Sequence, residues 1–134
     1  AIMMKNLNKS MKFKLYEKSH LKSAFLRDVT RKLNLNIEIV EGDIFKKINL
    51  SSDTVIGRAF KPLPVVLDLM NKNFVNYKNL ILFMGKNGKQ TLKDAFKDWK
   101  FEYKEKMSLT SDDSFLIKIK NIKKKNWIKH KSYL

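Results

Sequence analysis

The sequence contains no cysteine. That excludes a disulfide scaffold, a Cys-ligated zinc site and any thiol nucleophile. Glycine is scarce, four in 134 residues, and neither a G-x-G-x-x-G nor a G-x-x-x-x-G-K-[ST] run occurs. The chain therefore carries no phosphate-binding loop of its own. No apolar run reaches the roughly 18 residues a membrane span needs. The opening Ala1-Ile2-Met3-Met4 is too short for a signal-peptide core. His20 and His130 have no acidic partner pattern, so no metal site is expected. No spacing of Ser, His and Asp matches a triad or a nucleophile elbow. Acids are few: 13 Asp+Glu stand against 29 Lys+Arg, for a net charge of +16 and a pI near 10.0. Arginine is rarer still, with only Arg27, Arg31 and Arg58 among those cations.

What is present is a chain long enough for one domain and apolar enough, at 43%, to build a core. The basic excess implies a polyanionic partner, and the absence of cysteine suits a cytoplasmic setting. Two sources for the lysines fit. Lys, Asn and Ile have A/T-rich codons, so part of the excess is a background of solvated side chains. The seven lysines without an acid between Lys118 and Leu134 form a local cluster that such a background explains less well.

The hydropathy pattern predicts the elements. Ala1 to Leu7 reads as the end of a helix that lacks its own N-cap. Met11–Glu17 alternates as a strand does. Ser19 or Ser23 caps a helix to about Leu33, with Leu21, Ala24, Phe25, Val29 and Leu33 as its apolar face. Asn36–Glu41 is a second strand, ending at Gly42-Asp43. Ile44 to Ser52 is a loop with a turn of helix. Asp53–Gly57 reads as a buried parallel strand. Pro62 and Pro64 suit the first turn of the next helix. Leu80–Met84 is another buried strand, followed by a Gly85–Gly88 turn. Thr91–Trp99 reads as a helix carrying Leu92, Ala95, Phe96 and Trp99 on one side. Phe101–Met107 and Ser114–Ile122 form an antiparallel hairpin. This order predicts an α/β fold with right-handed crossovers, a mostly parallel sheet and an antiparallel edge. Residues 1–122 make up the domain, and 123–134 a basic tail.

Ligands of such sheets bind at the carboxyl ends of the strands, here marked by Glu17, Gly42-Asp43, Arg58 and Gly85-Lys86. A carboxylate at Glu17 suits the two hydroxyls of a ribose. From the spacing alone, a solvated loop acid paired with Lys18 or Lys22 is the favoured reading. Arg58 offers a planar, permanently charged fork in a chain that otherwise uses lysine. An incidental surface arginine is the plainer reading.

The segment Glu17-Lys18-Ser19-His20-Leu21-Lys22-Ser23-Ala24-Phe25-Leu26-Arg27 resembles the one after the second strand of the glucose-inhibited division protein B family, RsmG. Gly57-Arg58-Ala59-Phe60-Lys61-Pro62-Leu63-Pro64 is similar to that family's "SRAxAPLP" segment, and Phe83-Met84-Gly85-Lys86 to the "KG" end of its fifth strand. The resemblance spans about Ala1 to Ile122. It implies a class I methyltransferase, a Rossmann-like three-layer α/β/α sandwich, that uses S-adenosylmethionine and forms 7-methylguanosine in the 530-loop of 16S ribosomal RNA. It implies cofactor contacts at Glu17, Lys18, Ser19, Ile44, Phe45 and Arg58. Phe45 stands where the family has an acid, and Asp43 is a nearby substitute. The first strand and glycine-rich loop have no counterpart in this sequence. The chain thus matches the family's C-terminal two-thirds, and weak or no cofactor binding is expected of it alone. No catalytic side chain is assigned. Lys61, Lys86, Lys89 and the tail lysines Lys123, Lys124 and Lys125 would then meet the RNA of the small ribosomal subunit. A monomer without metal or membrane attachment is expected. Two other readings remain: a small basic RNA-binding protein without catalysis, and a fragment of a nicotinamide-binding protein.

Overall fold

A computed structural model describes residues 5, 8, 10–58, 61–107 and 113–126. The chain divides into two compact units, Ala1–Lys47 and Ile48–Leu134.

In the first unit, β1 (Phe13–Glu17) and β2 (Ile37–Glu41) pair in parallel, with Glu17 opposite Glu41 at their carboxyl ends. Helix α1 (His20–Lys32) links them. Of the two candidate caps, Ser19 takes the role: its Oγ accepts the Lys22 amide at 3.3 Å. The expected apolar face is not the buried one. Ser23 and Thr30 are buried, while Leu21 is 81%, Phe25 66% and Leu33 52% exposed. Ser23 is small enough to lie against the strand, and its hydroxyl donates to the Glu17 carbonyl at 3.2 Å. Thr30 satisfies its hydroxyl on the Arg27 carbonyl at 3.0 Å. The predicted N-terminal helix lies outside the described residues except for buried Lys5.

The second unit holds a four-stranded sheet ordered β4-β6-β8-β7, from β4 (Thr54–Arg58), β6 (Asn79–Met84), β7 (Trp99–Met107) and β8 (Phe115–Lys124). The β4–β6 pair is parallel, and β8 runs antiparallel to both β6 and β7. The predicted loop before β4 contains a short strand, β3 (Leu50–Ser51), paired in parallel with β5 (Phe74–Asn76). Helix α2 (Leu63–Lys72) starts at Pro62 and buries Leu63, Val66, Leu67, Leu69 and Met70. Helix α3 (Gly88–Ala95) begins three residues earlier than its pattern suggests and stops before Trp99, which opens β7 instead.

Leu80, Leu82 and Met84 from β6 join Phe115, Ile117, Ile119, Ile122, Trp99 and Phe101 in the core. Strand β4 departs from expectation: Ile56 is 43% exposed, because its side chain stands on the sheet face opposite the core; among the described residues β4 pairs with β6 alone. Among the described residues no helix is long and apolar enough to cross a membrane.

Candidate functional site

Each unit brings predicted residues together at the carboxyl ends of its parallel strands. In the first, Glu17 is the last residue of β1, and its Oε1 accepts the Ser19 amide at 3.0 Å. The Glu17 carbonyl accepts the Gly42 amide at 2.9 Å. Gly42 has φ of +141°, a conformation that glycine adopts without penalty and L side chains rarely reach. The next residue, Asp43, caps a single 3-10 turn at Ile44–Lys46: its Oδ1 accepts the Phe45 amide at 3.0 Å. Its Oδ2 lies 3.8 Å from the Lys18 ammonium. Lys18 thus pairs with Asp43 and not with Glu17, and the pairing of Glu17 with Lys18 or Lys22 is not seen. Oε2 of Glu17 has no partner among the described residues.

Of the six residues assigned to cofactor, five fall here. Glu17, Ser19, Ile44 and Phe45 are half-buried and Lys18 is exposed. Ser19 has its amide on Glu17 and its hydroxyl on the helix, so it orients the carboxylate. Asp43 has both oxygens engaged, which leaves it less suited to the contact that Phe45 does not make. Glu41, which the sequence reading passed over, lies 2.6 Å from His20 Nδ1 and 3.7 Å from Arg27 Nη1. The signal was in the pattern: both strands end on a glutamate.

In the second unit a cavity of about 530 Å³ opens at the ends of β4 and β6. Its apolar wall includes Leu63, Val66, Leu82 and Met84, and its polar lining includes Arg58, Lys61, Lys86, Asn87 and Thr91. Among the described residues the lining has three cations and no carboxylate, the electrostatics of a site for an anion. Arg58, Lys61 and Lys86 are exposed. The Gly85–Gly88 turn closes with the Gly88 amide on the Gly85 carbonyl at 2.9 Å. Gly88 is required there by space: a Cβ would stand 2.8 Å from Met84 Cβ and 2.8 Å from Phe115 Cε1.

The remaining lysines disperse. Lys89 is exposed on α3 and outside the cavity lining. Lys123 and Lys124 belong to β8 and point to opposite faces, with the Lys124 ammonium 5.7 Å from the centre of the Trp99 ring. Lys125 donates to the Phe96 carbonyl. Trp127 and the rest of the tail lie outside the described residues.

Parallel pairs joined through helices, followed by an antiparallel hairpin whose last strand inserts beside β6, define a class I methyltransferase fold. Solved structures agree in fold. The chain is similar to the PH0226 protein of Pyrococcus horikoshii OT3, with TM-score 0.67 and 13% identity over 88% of this chain and 75% of that one. It is also similar to TrmK of M. capricolum, solved with S-adenosyl-homocysteine, with TM-score 0.58 and 16% identity over 88% of this chain and 55% of that one. The chain belongs to the GidB family, rRNA small subunit methyltransferase G, whose model matches residues 1–117. It is 55% identical over 126 residues to the ribosomal RNA small subunit methyltransferase G of Pelagibacter ubique (strain HTCC1062), a match over 94% of this chain and 59% of that protein. The chain thus spans about three-fifths of the length of this relative.

Proposed function

We propose that this chain is part of an S-adenosylmethionine-dependent methyltransferase that acts on guanine N7 in the 530-loop of 16S ribosomal RNA, in the cytoplasm. The cavity at the ends of β4 and β6, whose described lining has three cations and no carboxylate in a chain of this family, carries the reading. The 55% identity to a ribosomal RNA small subunit methyltransferase G supports it.

The first unit fits the cofactor by its donor set. Glu17 offers a carboxylate oxygen that has no partner among the described residues for a ribose diol, and Phe45 a half-buried aromatic ring for adenine. Ser19 and Gly42 hold Glu17 in place through its side chain and carbonyl. When bound, S-adenosylmethionine supplies a methyl group activated on a sulfonium.

Guanine N7 carries an in-plane lone pair and attacks without losing a proton. Glu17 and Phe45 would hold S-adenosylmethionine so that its methyl group could pass to N7, with a neutral thioether as the by-product. A positive charge develops on the guanine, so no general base is needed. Positioning and electrostatics suffice. Arg58, Lys61 and Lys86 would grip phosphates flanking the target nucleotide, with Arg58 able to do so in a bidentate way.

The test is methyl transfer from labelled S-adenosylmethionine to small-subunit RNA by the protein that contains this chain. Label in 7-methylguanosine from the 530-loop is the expected result. Label elsewhere, or none, would reject the reading.

A further inference from the structure

Two tripeptides face each other at the carboxyl end of the first unit. Lys18-Ser19-His20 follows β1 and opens α1, and Glu41-Gly42-Asp43 runs out of β2. Their central residues both hold Glu17. The Ser19 amide donates to its Oε1 at 3.0 Å, and the Gly42 amide to its carbonyl at 2.9 Å. Their outer residues are joined by charge. His20 Nδ1 donates to Glu41 Oε1 at 2.6 Å, and the Lys18 ammonium lies 3.8 Å from Asp43 Oδ2. Ser19 is therefore braced on both sides against the strand end that carries Gly42.

Glu41 is the firmer of the two braces. Its Oε2 lies 3.7 Å from Arg27 Nη1, so one carboxylate meets two cations of α1. His20 and Arg27 are two helical turns apart and share one side of α1. A carboxylate bound to both fixes the helix in rotation as well as in height above the strand end. The ion pairs of Asp28, Asp68 and Asp94 differ in kind. They join residues three or four apart and hold only their own turn of chain. Glu41 joins a strand to a residue 21 positions away.

The same pairing divides the work of two glutamates. Glu17 and Glu41 stand side by side in register at the ends of β1 and β2, at a strand spacing of about 4.8 Å. Like charges this close repel each other. Glu41 has both oxygens against cations, while Glu17 keeps Oε2 without a partner among the described residues. One carboxylate is committed to the scaffold, and its neighbour is left for a ligand.

We propose that Glu41, through His20 and Arg27, is a positioning residue for the cofactor: it sets α1 and the Ser19 amide so that Glu17 presents Oε2 to the ribose diol. This rests on the reading of Glu17 given above and adds to it a residue that acts only through Glu17.

The test uses the protein that contains this chain, with S-adenosylmethionine affinity by calorimetry and kcat and both KM values by methyl transfer to small-subunit RNA. Glu41→Ala should weaken S-adenosylmethionine binding about three- to fivefold, the upper range for a partly exposed ion pair, and raise its KM alike. The kcat and the KM for RNA should stay native. Replacing His20 and Arg27 together by Ala should match it. In a Glu17→Ala background, Glu41→Ala should cause no further loss, because the residue it positions is gone. A merely structural defect would instead add to the Glu17 loss, lower Tm and raise both KM values. Glu38→Ala, which breaks the pair with Lys14 on the same strands, should change none of these. Native cofactor affinity in Glu41→Ala, its full loss repeated in the Glu17→Ala background, or an equal rise in the KM for RNA would overturn the positioning role and leave the methyltransferase reading standing. A native protein that binds no S-adenosylmethionine would reject both.

Discussion

The Gly42 amide donates to the Glu17 carbonyl at 2.9 Å and ties together the carboxyl ends of β1 and β2. Because that bond is backbone to backbone, the Glu17 side chain can be changed without untying the strand ends. Glu17→Ala should therefore fold normally. In the protein that contains this chain it should weaken S-adenosylmethionine binding about tenfold, ~1.4 kcal/mol, as expected for a charge-assisted hydrogen bond. Calorimetry measures this, and unchanged affinity would remove Glu17 from the ribose role.

Gly88 makes a prediction about stability. An added methyl group would press on Met84 and on the Phe115 ring, both part of the buried sheet face. Gly88→Ala should destabilise the second unit by about 1–3 kcal/mol, through overpacking. Thermal denaturation should show a Tm lowered by several degrees. An unchanged Tm would mean that the Phe115 ring yields at little cost.

Arg58 is exposed and has no ion-pair partner among the described residues, so its loss should leave Tm unchanged. Arg58→Ala should lower kcat/KM for RNA methylation at least tenfold. Arg58→Lys keeps the charge and loses the fork, and should recover only part of that. Full recovery in the lysine variant would show that charge alone is used.

Tyr77 supplies a pH test. Burial pushes its phenol above the ordinary value of 10.0, against a smaller opposing effect of a hydrogen bond with the Ile122 backbone. A folded pKa above the unfolded one means the native state holds the proton longer. Its contribution to stability is complete below about pH 10 and is lost as pH rises through the folded pKa. Denaturant melts across that window should show falling stability, and Tyr77→Phe should flatten the fall. A phenol that titrates at its ordinary value by ultraviolet absorbance would contradict this.

Much of the local structure is legible because single residues dictate it. Ser19 caps α1, Pro62 opens α2, and the apolar stretch from Leu80 to Met84 is a strand. The Arg58-Ala59 and Pro62-Leu63-Pro64 segment identifies the family before any coordinates do. Local pattern is a poorer guide where two periods compete. Trp99 continues the helical spacing of Leu92 and Ala95, yet it opens β7 and is 3% exposed there. The apolar spacing of Leu21 and Phe25 is real, yet the strands of their own unit take the face with Ser23 and Thr30. The short β3–β5 pair has no signal in two residues of β3.

By itself the sequence determined the order of the longer strands and helices, the excess of lysine, the absence of cysteine and the family motif. These depend on residue identity and short-range spacing. The tertiary structure alone decided which residues share a surface. It put Lys18 on Asp43, left Glu17 Oε2 without a partner among the described residues, and joined Arg58 to Lys86 in one cavity. It also aligned Lys100 with Lys123 and Lys104 with Lys118. Strand register and a bulge at Asn121 set those alignments, and both depend on pairing between segments far apart in the chain.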